Sequence, residues 1–215
     1  MTTAPIVAGS LADHPVARPF AEVIQQVHHR YATEVVGAFR LCPFMKDPTA
    51  AFGRFCVVLE TKPSVATAME LVLAETSQVA HLIYPLVRLE CALFERFGGD
   101  VHKALAATGR GAPVHATFHP DMGGDTSSSS RIVGLMRRAP DPFVQFVPEG
   151  LHGGGTTFLD PAAIDLALLA GSSGDNTESL FDRLGDDDYV RIDAIQRDIK
   201  NERDERYQRF LDAMA

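Results

Sequence analysis

Four short apolar runs, each bounded by turn-forming residues, constrain this chain more than any other feature. Residues 55–59 read Phe-Cys-Val-Val-Leu, and 81–84 read His-Leu-Ile-Tyr before Pro85. Residues 113–119 read Pro-Val-His-Ala-Thr-Phe-His before Pro120, and 143–147 read Phe-Val-Gln-Phe-Val. Runs of this length, rich in β-branched and aromatic residues, predict strands. Between them the apolar spacing changes to three and four. Phe20, Ile24, Val27, Tyr31, Val35 and Ala38 mark one buried helical stripe over 16–41, and Pro43 ends it. Pro63 and Ser64 open a second helix over 64–75. Further helices are expected over 87–97, stopped by Gly98-Gly99, over 101–107, over 131–138 before Pro140, and over 161–169. Strands alternating with helices predict an α/β or α+β fold, with a small sheet of about four strands covered by helices.

The ends of the chain read differently from its middle. Residues 1–15 are expected to be a flexible leader, 16–170 the core domain, and 171–215 a charged helical extension. In that extension Ile192, Ile195, Ile199, Phe210 and Met214 form one apolar edge. Asp193 with Arg197, Glu202 with Arg206 and Glu205 with Arg209 make i,i+4 pairs of favourable order. Such a helix either docks along one side of the core or serves as a homodimer arm.

The balance of 20 Lys and Arg against 28 Asp and Glu gives a net charge of −8, which argues against nucleic acid as a partner. No stretch of about 18 apolar residues predicts a membrane span. The first residues lack a basic segment followed by an apolar core, so a cytoplasmic protein with reduced thiols at Cys42, Cys56 and Cys91 is expected. There is no CxxC, HExxH, P-loop or GxGxxG motif and no internal repeat.

A few residues carry chemistry at informative places. Cys42 stands where the first helix ends and Pro43 turns the chain, and it is read as a nucleophile, a redox thiol or a thiolate ligand to iron. The plain alternative is a small buried hydrophobe. Cys56 and Cys91, inside apolar elements, are read as packing residues. His119 ends a strand before a loop, where α/β proteins place site residues. It is read as a catalytic base or a metal or haem ligand, or else as a ring that fixes the following turn. His115 shares its strand face but lies about 13 Å away at ~3.3 Å per residue, too far to join it on one ion. Tyr84 ends a neighbouring strand and is a candidate proton donor. Ser130 and Arg131 open a helix after the loop 121–130, and with Lys46 they are candidates for holding a carboxylate, a phosphate or a haem propionate. The loop itself, rich in Gly and Ser, is expected to be exposed, mobile or occupied by a ligand. His152, within the glycine-rich stretch 150–157, is a possible second metal or haem ligand.

The order of these motifs resembles the family called domain of unknown function 1415. The carrying pieces are Leu41-Cys42-Pro43-Phe44 after a helix, the strand and helix at 55–59 and 64–75, Leu82-Ile83-Tyr84-Pro85, Phe118-His119-Pro120-Asp121, and Leu135-Met136-Arg137. The likeness covers roughly residues 20–140. It departs where the family's first His-Pro is Tyr84-Pro85, and where a Gly/Ser loop replaces an aromatic, Asn- and Pro-rich segment. The resemblance implies a shared site rather than a particular reaction. The leading expectation is a small-molecule enzyme, redox in character, with a Cys/His site in a Phe-rich pocket that takes haem or iron. The alternatives are cofactor-free thiol or acid–base catalysis by Cys42 and His119, and a non-catalytic binding or assembly module.

Overall fold

The structure, a computed structural model, describes residues 3–39, 41, 53–75, 78–109, 113–124, 129–148 and 184–214. All four apolar runs become strands, and a fifth joins them. The strands are β1 (Ile6–Ala8), β2 (Arg54–Val58), β3 (Ala80–Ile83), β4 (Val114–Phe118) and β5 (Phe143–Val147). They form one mixed sheet in the order β1-β2-β3-β5-β4. β2 pairs in parallel with β1 and β3, and β5 pairs antiparallel with β3 and β4. The helices are α1 (Ala17–Arg30), α2 (Val65–Ala74), α3 (Cys91–Ala106), α4 (Ser129–Met136) and α5 (Asp186–Met214). The fold is thus of the α+β class with a long C-terminal helix.

β1 lies inside the stretch read as a leader. Its three residues are too few to show alternation, so the strand exists through pairing with β2, Ile6 opposite Cys56 and Ala8 opposite Val58. Side chains of α1 hold the chain before it, Arg18 donating to the Pro5 carbonyl at 2.9 Å and Gln25 to that of Thr3 at 2.8 Å.

The first predicted helix falls into two segments. α1 ends at Arg30 and continues as a π-helical segment, Tyr31–Gly37. There Ala38 N–H bonds the Thr33 carbonyl and Leu41 N–H that of Val36, each at 2.9 Å. The wider turn rotates the apolar stripe and keeps Tyr31, Val35 and Leu41 in the core.

α3 runs straight through Gly98-Gly99, which the sequence reading takes as a stop. A Cβ at Gly98 would lie 2.7 Å from Thr117 Oγ1 and 3.6 Å from the Val144 methyls. The glycine is there to let the helix approach the sheet, and packing outweighs its roughly 1 kcal/mol helix penalty.

Alternation along β2 separates two cores. Phe55, Val57 and Leu59 face α1 and α5, with Ile83 and Phe143 beside them. Cys56 and Val58 face α2 and α3, with Leu82, Tyr84, Phe94 and Val144. α5 belongs to the first core, since Ile192, Ile199, Tyr207 and Phe210 are buried with Phe20 and Ile24. Phe20 meets Tyr207 edge-on and stacks on Phe210, both at 5.0 Å between ring centres. Arg30 adds ion pairs to Asp198 and Glu202 across the α1–α5 seam and an i,i+4 pair to Glu34. Hydrogen bonds to those three carboxylates raise its pKa. Among the described residues no helix is long and apolar enough to cross a membrane.

Candidate functional site

The carboxyl ends of β1 to β4 and the start of β5 lie along one edge of the sheet. Ile83 and Phe118 both pair with Phe143, so Tyr84 and His119 leave the sheet on either side of the Asp141-Pro142-Phe143 turn. Tyr84 N–H bonds the Pro142 carbonyl at 2.9 Å. Both rings face α3 and share Phe94, Tyr84 at 5.6 Å and His119 at 6.0 Å between ring centres. The structure therefore brings these two candidates to one edge, with a phenyl ring beside each.

Their polar atoms are placed differently from the sequence expectation. His119 is 3 % exposed. Its Nδ1 accepts the Asp121 N–H at 3.1 Å, so Nε2 carries the proton and donates to the Leu89 carbonyl at 3.1 Å. Both nitrogens are spent on main chain. In this geometry His119 fixes the turn and offers no lone pair to a metal, a haem or a substrate. Asp121 contributes its N–H to that turn, while its largely exposed carboxylate is 3.9 Å from Nδ1.

Tyr84 is fully buried, and its hydroxyl has no hydrogen-bond partner among the described residues. Burial, then the charges of Glu60 and Cys56, raise its pKa well above 10.0. The phenol stays protonated and, sealed in this packing, meets no solvent-borne substrate. Glu60 instead anchors α2: its Oε1 accepts the Ser64 N–H at 2.8 Å, and Ser64 caps Thr67 N–H at 3.3 Å. Burial pushes the Cys56 thiol up to about 12, an inert packing cysteine.

Arg131 is exposed in the first turn of α4, where Ser130 also lies. Cys42, Lys46 and His152 lie outside the described residues, as does the helix expected over 161–169. Among the described residues no group of three or more His, Cys, Asp and Glu could hold a metal ion.

Beside the β4 exit an open cleft of about 60 Å³ runs between the residues after α4 and the face of α5. Pro120, Tyr31, Arg138, Gln196, Arg197 and Lys200 line it. Three cations thus border a space that holds a few water molecules. Asp193 sits between two of them, 3.1 Å from Arg138 and 3.1 Å from Arg197, and Lys200 reaches Asp204 at 3.0 Å. Gln196 donates to the Leu135 and Arg138 carbonyls at 2.9 and 3.2 Å, which fixes its amide orientation and ties α5 to the cleft wall.

The most developed polar cluster is one the sequence reading missed. Asp141 is fully buried. Arg203 clamps its Oδ1 through Nε at 3.0 Å and Nη2 at 2.8 Å. His28 and Tyr207 donate to Oδ2 at 3.1 and 2.9 Å. Burial alone would raise this carboxyl, but the His28 hydrogen bond and the Arg203 charge overcome it and hold the pKa at about 2. The cluster joins α1, α5 and the turn before β5. Its signal was in the periodicity: His28 is four residues after Ile24, and Arg203 lies four residues from both Ile199 and Tyr207.

No family model, curated protein or solved structure matches this chain.

Proposed function

We propose that this protein acts on a small molecule bearing an acidic group, bound at the strand-end edge of the sheet in the cleft between the β4 exit and α5. The observation that carries the reading is the convergence of Arg138, Arg197 and Lys200 on an open cleft next to the strand ends, where α/β proteins take ligands. The net charge of −8 favours a small-molecule partner over nucleic acid, and a cytoplasmic location is part of the proposal. Kinship with the domain of unknown function 1415 family is part of the proposal and rests on the order of the motifs. A homodimer would use the outer face of α5, where Val190 is 68 % exposed.

Calorimetric titration with inorganic phosphate and a panel of small mono- and dicarboxylates tests the cleft. At least one should bind, and Lys200→Ala or Arg138→Ala should weaken it about tenfold or more, the value of one charge-assisted hydrogen bond. Binding by no member of the panel, or unchanged affinity in both variants, removes the reading.

The redox form of the proposal assigns haem or iron to Cys42 and His152. His119 does not fit as a ligand while both its nitrogens bond main chain, and for the same reason a Cys42–His119 acid–base pair requires the turn to open. The absorption spectrum of the purified protein decides: a Soret band, lost in Cys42→Ala or His152→Ala, is the expected result. A colourless protein free of iron by elemental analysis rules this form out and leaves the cleft proposal standing.

A further inference from the structure

The cleft holds acceptors as well as cations. Asp193, Gln196, Arg197 and Lys200 fall at i, i+3, i+4 and i+7 of α5 and so share one face of that helix, while Arg138 stands on the other wall. Arg138 Nη1 lies 3.1 Å from Asp193 Oδ1, and Arg197 Nε lies 3.1 Å from Oδ2. One carboxylate thus sits at ion-pair distance from two guanidinium groups. Its side chain is 43 % exposed, so a solute reaches it.

Gln196 adds a second acceptor. Its Nε2 is committed to the Leu135 and Arg138 carbonyls, which leaves Oε1 as the other end of a fixed amide. That oxygen is buried and has no hydrogen-bond partner among the described residues. The residue is 8 % exposed and lines the cleft. A buried acceptor left open in a cleft wall is satisfied when the occupant brings an N–H or O–H.

A ligand with negative charge alone meets this arrangement badly. Each of the three cations already faces a carboxylate, Arg138 and Arg197 through Asp193, and Lys200 through Asp204 at 3.0 Å. A plain anion reaches the guanidinium groups only by approaching Asp193, and like charges at that range repel. A zwitterion has a partner for both of its charges. We infer that the cleft selects a small α-amino acid, whose ammonium donates to Asp193 and Gln196 Oε1 and whose carboxylate accepts from the guanidinium groups flanking Asp193. The inference rests on the cleft reading under Proposed function and names the ligand class within it. Room for a few water molecules suits glycine or alanine better than an amino acid with a long side chain.

Calorimetric titration of the full chain tests this by comparing glycine with propionate and L-alanine with isobutyrate. Within each pair an ammonium is exchanged for a methyl group. The amino acid of each pair is expected to bind about tenfold or more tightly than its partner, through charge-assisted hydrogen bonds that the methyl group cannot make. Asp193→Asn keeps the side-chain shape, removes the charge, and should cut that ratio to about threefold or less. Equal affinities within both pairs, or an undiminished ratio in Asp193→Asn, overturn the inference. If the acids then still bind and Arg138→Ala weakens them, the cleft reading stands without it. Binding by neither the amino acids nor the acids removes both together. The wild-type comparison decides on its own if the variant loses its native spectrum.

Discussion

Asp141→Asn should lower the folding free energy by about 3–5 kcal/mol, the cost of removing one partner from a buried ion pair. The change keeps the shape and deletes the charge. It leaves the Arg203 guanidinium facing an amide where two donors met Oδ1, and it weakens the acceptor for His28 and Tyr207. Because these partners sit on α1 and α5, the loss falls on the docking of the C-terminal helix. Urea unfolding measures it, and a change under about 1 kcal/mol would show that the cluster is dispensable. The pH dependence supplies a second signature. Asp141 has a folded pKa of about 2 against an ordinary 3.8. A group depressed on folding contributes stability above its unfolded value and loses that contribution as pH falls through its folded value. Wild-type protein should therefore lose about 2 kcal/mol between roughly pH 5 and pH 2 through this residue, and Asp141→Asn should lack that component.

Sequence reading and structure agree where a signal is local. The alternating run 143–147 becomes β5 with those bounds, and Ser64 caps α2 where Pro63-Ser64 opened it. They part where a distant element decides. β1 depends on β2, some fifty residues on, and no three-residue segment announces such a pairing. Gly98-Gly99 looks like a stop because propensity is read along the chain, whereas Gly98 answers to Thr117 across the sheet. The strand ends at Tyr84 and His119 were legible because a proline follows each. What their polar atoms do was not, since the partner of His119 Nε2 is a carbonyl 30 residues away. The Asp141 cluster lies furthest from local signals, with His28 separated by 113 residues and Arg203 by 62. Each residue occupied a legible position on its helix, but the carboxylate that joins them stands alone between two prolines.

Gly134→Ala is the other substitution with a large expected effect. A Cβ there would meet the Gly123 carbonyl oxygen at 1.9 Å and Gly124 Cα at 3.2 Å. The contact is reciprocal, because a Cβ at Gly124 would lie 2.1 Å from Leu135 N. All of these atoms are backbone, so no rotamer change relieves the overlap. Gly124, within the stretch read from sequence as an exposed, mobile or ligand-occupied loop, lets α4 lie backbone to backbone on the chain leaving β4. Two effects then compete. Alanine gains up to about 1 kcal/mol of helix propensity, while overpacking against a rigid neighbour costs about 3 kcal/mol or more. The steric cost wins by about 2 kcal/mol, and a thermal melt should fall by roughly 4–8 °C. Gly99→Ala is the matched control, with nothing within 4 Å of its Cβ, and should gain about 1 kcal/mol. A Gly134→Ala melt at or above that of the wild type would mean that α4 and the β4 exit are not in backbone contact. Arg138 follows α4 shortly after this contact, so the same substitution should also weaken anion binding in the cleft.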